Sequence, residues 1–137
     1  RATIGRGAAK GEQRGHAGRV EVFAGDMMKD PLPPGFDAHL WSNVLHDWDV
    51  PEVRQLVRAS AEALPSGGLF IMHDAFLNRA KTGPRHVAEY SVLLMHSTQG
   101  RCDGVGEMEN WLEEAGFGAF TFAETAAARG CLTAIKR

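Results

Sequence analysis

Two short apolar runs bracket one helical stripe between Phe36 and Asp74, and this pattern constrains the fold more than any other feature. The runs FDAHLWSNV at 36–44 and LFIM at 69–72 are rich in β-formers. Between them Val53, Leu56, Val57, Ala61 and Leu64 recur at helical spacing, with the small Ser60 on the same stripe. Asp49 is placed to cap this helix, and Pro51 sits in its first turn, where a missing N–H costs nothing. Pro65-Ser66-Gly67-Gly68 stops it. Apolar residues on both faces of the first run suit a buried parallel strand.

The pattern continues on both sides. Val20, Val22 and Ala24 alternate with Glu21 and Phe23, which predicts a strand ending at Gly25-Asp26. Lys29 to Gly35 is a turn-rich connection, and Asn78 to Gly83 is a loop. His86 to Ser97 reads as a helix with Val87, Tyr90 and Leu94 on one side and Val92 and Met95 beside them. Glu107 to Ala115 is a further helix, with Met108, Trp111 and Leu112 inward and Gly116 as its stop. Phe117 to Ala123 and Cys131 to Ile135 read as strands joined by a loop. This order argues an α/β fold with a largely parallel sheet and a final antiparallel pair.

Residues 1–18 differ in texture. Arg1, Arg6, Lys10 and Arg14 face one acid, Glu12, and no large apolar residue appears beyond Ile4. Such a stretch buries too little to offset its ordering entropy, so a basic, mobile arm is expected, with a short strand at most at Ala2 to Ile4. Gly5-Arg6-Gly7 is a near miss to a nucleotide-binding loop, because Lys10 stands where its third glycine belongs. Residues 19–137 then form one domain, as a chain of 137 residues suggests.

Charge and cysteine content narrow the class. A net charge of -2 and a pI near 6.3 argue against a dedicated nucleic-acid binder. Cys102 and Cys131 are too few for a disulfide scaffold and read as reduced thiols, which points to the cytoplasm. No apolar run is long enough to span a bilayer, and no secretory signal is visible.

In open α/β sheets, ligands sit beyond the carboxyl ends of the strands. Three such ends carry informative groups. Gly25-Asp26-Met27 offers a close backbone approach, a carboxylate for an exocyclic amine and a thioether for an adenine face, although a turn Asp beside a core Met explains the same residues. Ser42-Asn43 leads to His46-Asp47-Trp48, where His46 is the best candidate general base and Trp48 is suited to stack on a purine or to pack at the helix start. His73-Asp74 ends the next strand, and Asp74 is placed to orient His46. Two His-Asp pairs also suit a metal-dependent hydrolase, but no further ligands stand at helical spacing, so no metal is expected. Met95 and Tyr90 are candidates for an acceptor pocket or for core. Cys102 has no evident base and reads as a quiet thiol. Arg79, Lys81 and Arg85 read as a solvated loop.

The succession Gly25-Asp26-Met27, Leu45-His46-Asp47-Trp48, Leu64-Pro65-Ser66-Gly67-Gly68 and Ala115-Gly116-Phe117 resembles the S-adenosylmethionine-dependent O-methyltransferases of the caffeic acid and hydroxyindole type, in their bacterial natural-product branch. The resemblance runs from about Arg19 to the C-terminus. It implies a Rossmann-like class I methyltransferase sheet, incomplete at its N-terminal half. It implies that Gly25, Asp26 and Met27 hold the adenine of S-adenosylmethionine, and that Ser42, Asn43 and Trp48 line the cofactor pocket. His46 would take the proton of a small aromatic acceptor's hydroxyl, oriented by Asp74, with Met95 near the acceptor. It implies no metal, no nucleic acid and no membrane, and a homodimer for a full-length parent.

The sequence also departs from the family. Gly100 to Cys102 fall where many members carry a second acid, and only the adjacent Asp103 is acidic. The glycine-rich loop and the ribose-binding acid of the family have no counterpart in residues 5–18. The chain is therefore expected to be the C-terminal part of a catalytic domain. A non-catalytic remnant or binding module is the alternative.

Overall fold

The computed structural model describes residues 20–137. The expected basic arm, the short strand at Ala2 to Ile4 and the Gly5-Arg6-Gly7 near miss lie outside the described residues.

The described residues form a four-stranded sheet. Strand β1 (Ala38–Ser42) leads through a 3-10 turn (Leu45–Asp47) into helix α1 (Val50–Ala63), which crosses over to strand β2 (Leu69–Asp74). Helices α2 (Arg85–Ser97) and α3 (Val105–Glu114) follow, then the hairpin of β3 (Phe117–Thr125) and β4 (Arg129–Lys136). The spatial order is β1-β2-β4-β3, with β1 parallel to β2 and the other pairs antiparallel. Trp41 lies beside Met72 in the parallel register, and Asp74 faces Gly130 in the antiparallel one.

The expected α1 forms as its stripe dictates. The Asp49 side chain accepts a hydrogen bond from Val50 N at 2.7 Å, and Val53, Leu56, Val57, Ser60 and Ala61 are all buried. They meet Phe70, Met72, Leu132 and Ala134 of the sheet, together with Val105, Met108 and Leu112 of α3. Ser60 has a use beyond its size: its Oγ accepts from Trp41 Nε1 at 3.0 Å, so the buried indole is not left unpaired. α2 stands on a smaller cluster of Ala75, Val87, Leu94 and Cys102, with Leu77 and Tyr90 packed against it.

Two expectations are corrected. Val20 to Ala24 is not a strand: Val20, Val22 and Phe23 are exposed, and the segment pairs with no strand among the described residues. Alternation marks a strand only where a partner completes its hydrogen bonds. Nor is β1 buried on both faces, because it is the edge of the described sheet. Trp41 faces the core, whereas Leu40 is 64% exposed on the opposite face.

Candidate active site

The 3-10 turn brings His46 over the end of β2. It is closed by Asp47 N and Trp48 N, which donate to Val44 O at 3.2 Å and Leu45 O at 3.1 Å. His46 is buried there, and its Nδ1 bonds to Oδ1 of the fully buried Asp74. Asp74 Oδ1 also accepts from Ala75 N at 2.8 Å, while Oδ2 has no partner. The aspartate therefore reaches His46 although it is a methylene shorter than glutamate. Burial pulls the His46 pKa down, but the bond and charge of Asp74, with Asp47 adding and Arg129 opposing, leave it above the usual histidine value. With Nδ1 engaged, Nε2 is the free nitrogen. It lies 3.5 Å from Asp47 Oδ1.

Asp47 opens onto a cavity of about 570 Å³, lined also by Met27, Asn43, Trp48 and Ser97 to Gln99. Three of the expected cofactor residues, Met27, Asn43 and Trp48, thus converge beside the base. Asn43 is held in the left-handed region at φ 50. Gly25 and Asp26 sit at the adjoining turn. The Asp26 carboxylate accepts from Met28 N at 3.0 Å and pairs with Lys29 at 3.2 Å. These contacts, the Met28 bond first, lower its pKa.

Ser42 turns to the other face of the sheet. Its Oγ lies 3.2 Å from His73 Nδ1, and His73 Nε2 lies 3.1 Å from Thr125 Oγ1. The two His-Asp pairs are thereby divided: His46 meets Asp74 on the helix side, and His73 points the opposite way. Among the described residues no group of three or more His, Cys, Asp or Glu could hold a metal ion.

Met95 stands apart from the other expected site residues. It is 64% exposed on the outer side of α2 and lines neither the cavity nor the dyad. The side of α2 that meets the site carries Tyr90 instead, whose ring packs edge-on against His46 with centroids 5.7 Å apart.

Three further residues matter that the sequence pattern did not single out in these roles. Gly100 is buried against the 3-10 turn, and a Cβ there would come within 2.6 Å of Trp48 N. Arg129 lays its guanidinium over Tyr90. Asp103 is buried and accepts from Arg101 Nε at 3.1 Å, and burial, against the pull of Arg101, pushes its pKa up to about 6. Cys102 is buried beneath Tyr90's cluster, and burial with the nearby charge of Asp74 pushes its thiol up to about 11, so it is neutral at pH 7. No helix among the described residues is long and apolar enough to cross a membrane.

Residues 6–118 match the family model for the O-methyltransferase domain. The chain belongs to this family. The match begins inside the stretch read above as an arm. A 3-hydroxy-5-methyl-1-naphthoate 3-O-methyltransferase of Streptomyces sahachiroi is 38% identical over 102 residues, which cover 74% of this chain and 30% of that protein. The crystal structure of an O-methyltransferase family 2 protein from Planctomyces limnophilus, complexed with apigenin, superposes with a TM-score of 0.89 at 39% identity, covering 96% of this chain and 39% of that one. Human N-acetylserotonin methyltransferase in complex with S-adenosylmethionine superposes with a TM-score of 0.76 at 29% identity, covering 82% of this chain and 32% of that one. This O-methyltransferase-family chain thus has the expected class I α/β fold and spans about 30–40% of the length of these relatives.

Proposed function

We propose that the chain, as the C-terminal part of a catalytic domain, binds S-adenosylmethionine and transfers its methyl group to the hydroxyl of a small aromatic acceptor, with His46 as general base. The buried His46–Asp74 bond carries this reading. It fixes the tautomer, so that Nδ1 is protonated toward Asp74 and the Nε2 lone pair is free on the side where Asp47 opens onto the cavity. The cavity residues fit the cofactor: Met27 offers a thioether, Trp48 an aromatic face and Asn43 an amide, and Asp26 adjoins Met27 with a half-exposed carboxylate.

The bound cofactor supplies a methyl carbon already attached to a good leaving group, so the protein's work is positioning and deprotonation. His46 Nε2 would take the acceptor's hydroxyl proton, leaving the oxygen to attack that carbon with the sulfur as leaving group. Asp74 holds the resulting imidazolium against its charge. The raised pKa makes His46 a stronger base and means that turnover should rise with pH until the ring is fully neutral.

Calorimetric titration with S-adenosylhomocysteine, beside radiometric methyl transfer to 2-naphthol, tests this. Saturable binding weakened by Asp26→Ala is expected. His46→Ala should keep that binding and lose about 100-fold or more in turnover. Unchanged turnover in His46→Ala would overturn the base assignment. Transfer to 1-naphthylamine but not to 2-naphthol would overturn the choice of acceptor atom. Binding with no transfer to either leaves the chain as a binding module.

A further inference from the structure

The β3–β4 hairpin brings a cation to the same site. Arg129, the first residue of β4, donates from Nε to Asn43 Oδ1 at 2.9 Å, across 86 positions of sequence. Its Cζ stands 5.0 Å from the centroid of the Tyr90 ring, the ring that meets His46 edge-on at 5.7 Å. One aromatic side chain therefore separates the guanidinium from the base. Arg54, Arg79, Arg85, Arg101 and Arg137 all pair with a carboxylate, whereas Arg129, like Arg58 on α1, forms no ion pair among the described residues. Its Nε is committed to Asn43, and its guanidinium carbon lies over the Tyr90 ring. The terminal nitrogens remain as a fork suited to a planar anion.

The surroundings indicate what else that anion carries. Asn43 lines the 570 Å³ cavity beside His46, and Arg129 lines a neighbouring one of about 370 Å³. Phe76, Val87 and Phe122 make the second cavity largely apolar, with the two phenylalanine rings edge-on at 5.5 Å. Glu124 is also on its wall but does not pair with Arg129. An unpaired, half-buried guanidinium between an apolar cavity and a base fits a ligand that is aromatic at one end and anionic at the other.

We propose that Arg129 binds a carboxylate on the acceptor, so that the substrate is an aromatic hydroxy acid held by its carboxylate at Arg129 and by its hydroxyl at His46. This rests on the reading that His46 takes the acceptor's proton. It adds a coupling between recognition and reactivity. Arg129 works against protonation of His46, and a carboxylate docked on it cancels that opposition.

A carboxylate reaching Arg129 could instead be that of the cofactor's amino acid, and the test separates the two. NMR titrations of the 137-residue chain compare 3-hydroxy-2-naphthoate with 2-naphthol, which lacks the carboxylate. In parallel they compare S-adenosylhomocysteine with 5′-methylthioadenosine, which lacks the amino acid. A charged hydrogen-bonded pair should make the naphthoate bind at least about tenfold more tightly than the naphthol. Arg129→Met should erase that preference, and Arg129→Lys, which keeps charge but not the fork, should retain part of it. Equal affinities in the wild type, including none for either, overturn the proposal, as does a preference that survives Arg129→Met. If Arg129→Met weakens S-adenosylhomocysteine relative to 5′-methylthioadenosine and leaves the naphthyl pair unchanged, the carboxylate is the cofactor's and the proposal fails. S-adenosylhomocysteine binding in the wild type reports separately on the reading above: its loss sinks that reading, while the naphthyl pair still reports on Arg129.

Discussion

Replacing Gly100 by alanine tests whether the site depends on one close backbone approach. Gly100 is buried, and its backbone is not in the left-handed region, so alanine meets no conformational penalty of its own. The obstacle is steric. An added Cβ would lie 2.6 Å from Trp48 N, 2.7 Å from the Asp47 carbonyl carbon and closer still to the His46 carbonyl oxygen. These are backbone atoms of the 3-10 turn and of Trp48 just after it, and that turn is pinned by its own hydrogen bonds and by Gln99 N, which donates to Asp47 O at 3.2 Å. No flexible side chain is available to yield, so the turn itself must move. Forcing an extra carbon into a packed site costs about 1–3 kcal/mol. For a chain of this length that is roughly 3–9 °C in melting temperature. The displaced turn also draws His46 away from Asp74, whose bond and charge hold the imidazole's pKa up. Gly100→Ala should therefore melt lower and show a His46 titration shifted downward in histidine-selective ¹⁵N NMR. A melting temperature within about 1 °C of the wild type, with an unchanged His46 titration, would refute the reasoning, because a collision of this size cannot be absorbed silently.

The same dyad gives a pH signature. His46 has a folded-state pKa above its ordinary value, so the stability it contributes is fully present below about pH 6.5 and is lost as pH rises through the raised value. Asp103, raised from 3.8 to about 6, loses its contribution by about pH 6, and Cys102, raised from 9.0 to about 11, loses its own only above about pH 9, which leaves the window between pH 7 and 9 to His46. Urea midpoints of Asp74→Asn should fall less steeply in that window than those of the wild type, and an identical slope would count against the assigned pairing. In the core, Ser60→Ala leaves the buried Trp41 Nε1 without an acceptor and should cost about 1–3 kcal/mol in chemical denaturation. A loss under about 0.5 kcal/mol would mean that the indole finds another partner.

Much of this fold was legible because it depends on local chemistry. The α1 stripe, the Asp49 cap, the Pro65 to Gly68 stop and the final hairpin all follow from nearest-neighbour rules, and they appear where those rules put them. His46 and Asp74 were legible as a pair because His46 follows shortly after β1 and Asp74 ends β2, at the same end of a parallel pair. Other features depend on what lies across space. Val20 to Ala24 has the alternation of a strand but no partner among the described residues, and no pattern within five residues reports whether a partner is present. Met95 and Tyr90 both looked fit for an acceptor wall, and only the rotation of α2 separates an exposed thioether from a ring against the base. Arg129 gave no signal at all, since its meaning comes from a bond to Asn43 spanning 86 positions. Gly100 likewise looks like an ordinary loop glycine until the turn it abuts is known.

The strand order β1-β2-β4-β3 has a consequence for the chain's synthesis. β1, α1 and β2 are contiguous, so the link from His46 to Asp74 closes over only 28 positions. β4 slots between β2 and β3, and its pairing of Asp74 with Gly130 waits until the C-terminal hairpin exists. At a ribosomal rate of about 5–20 residues per second, β2 presents a bare edge for roughly 3–12 seconds after it is made. The base and its carboxylate lie on one contiguous segment, whereas Arg129 is made only with the later hairpin. That interval is when a chaperone, or another nascent β2, has its chance at the open edge.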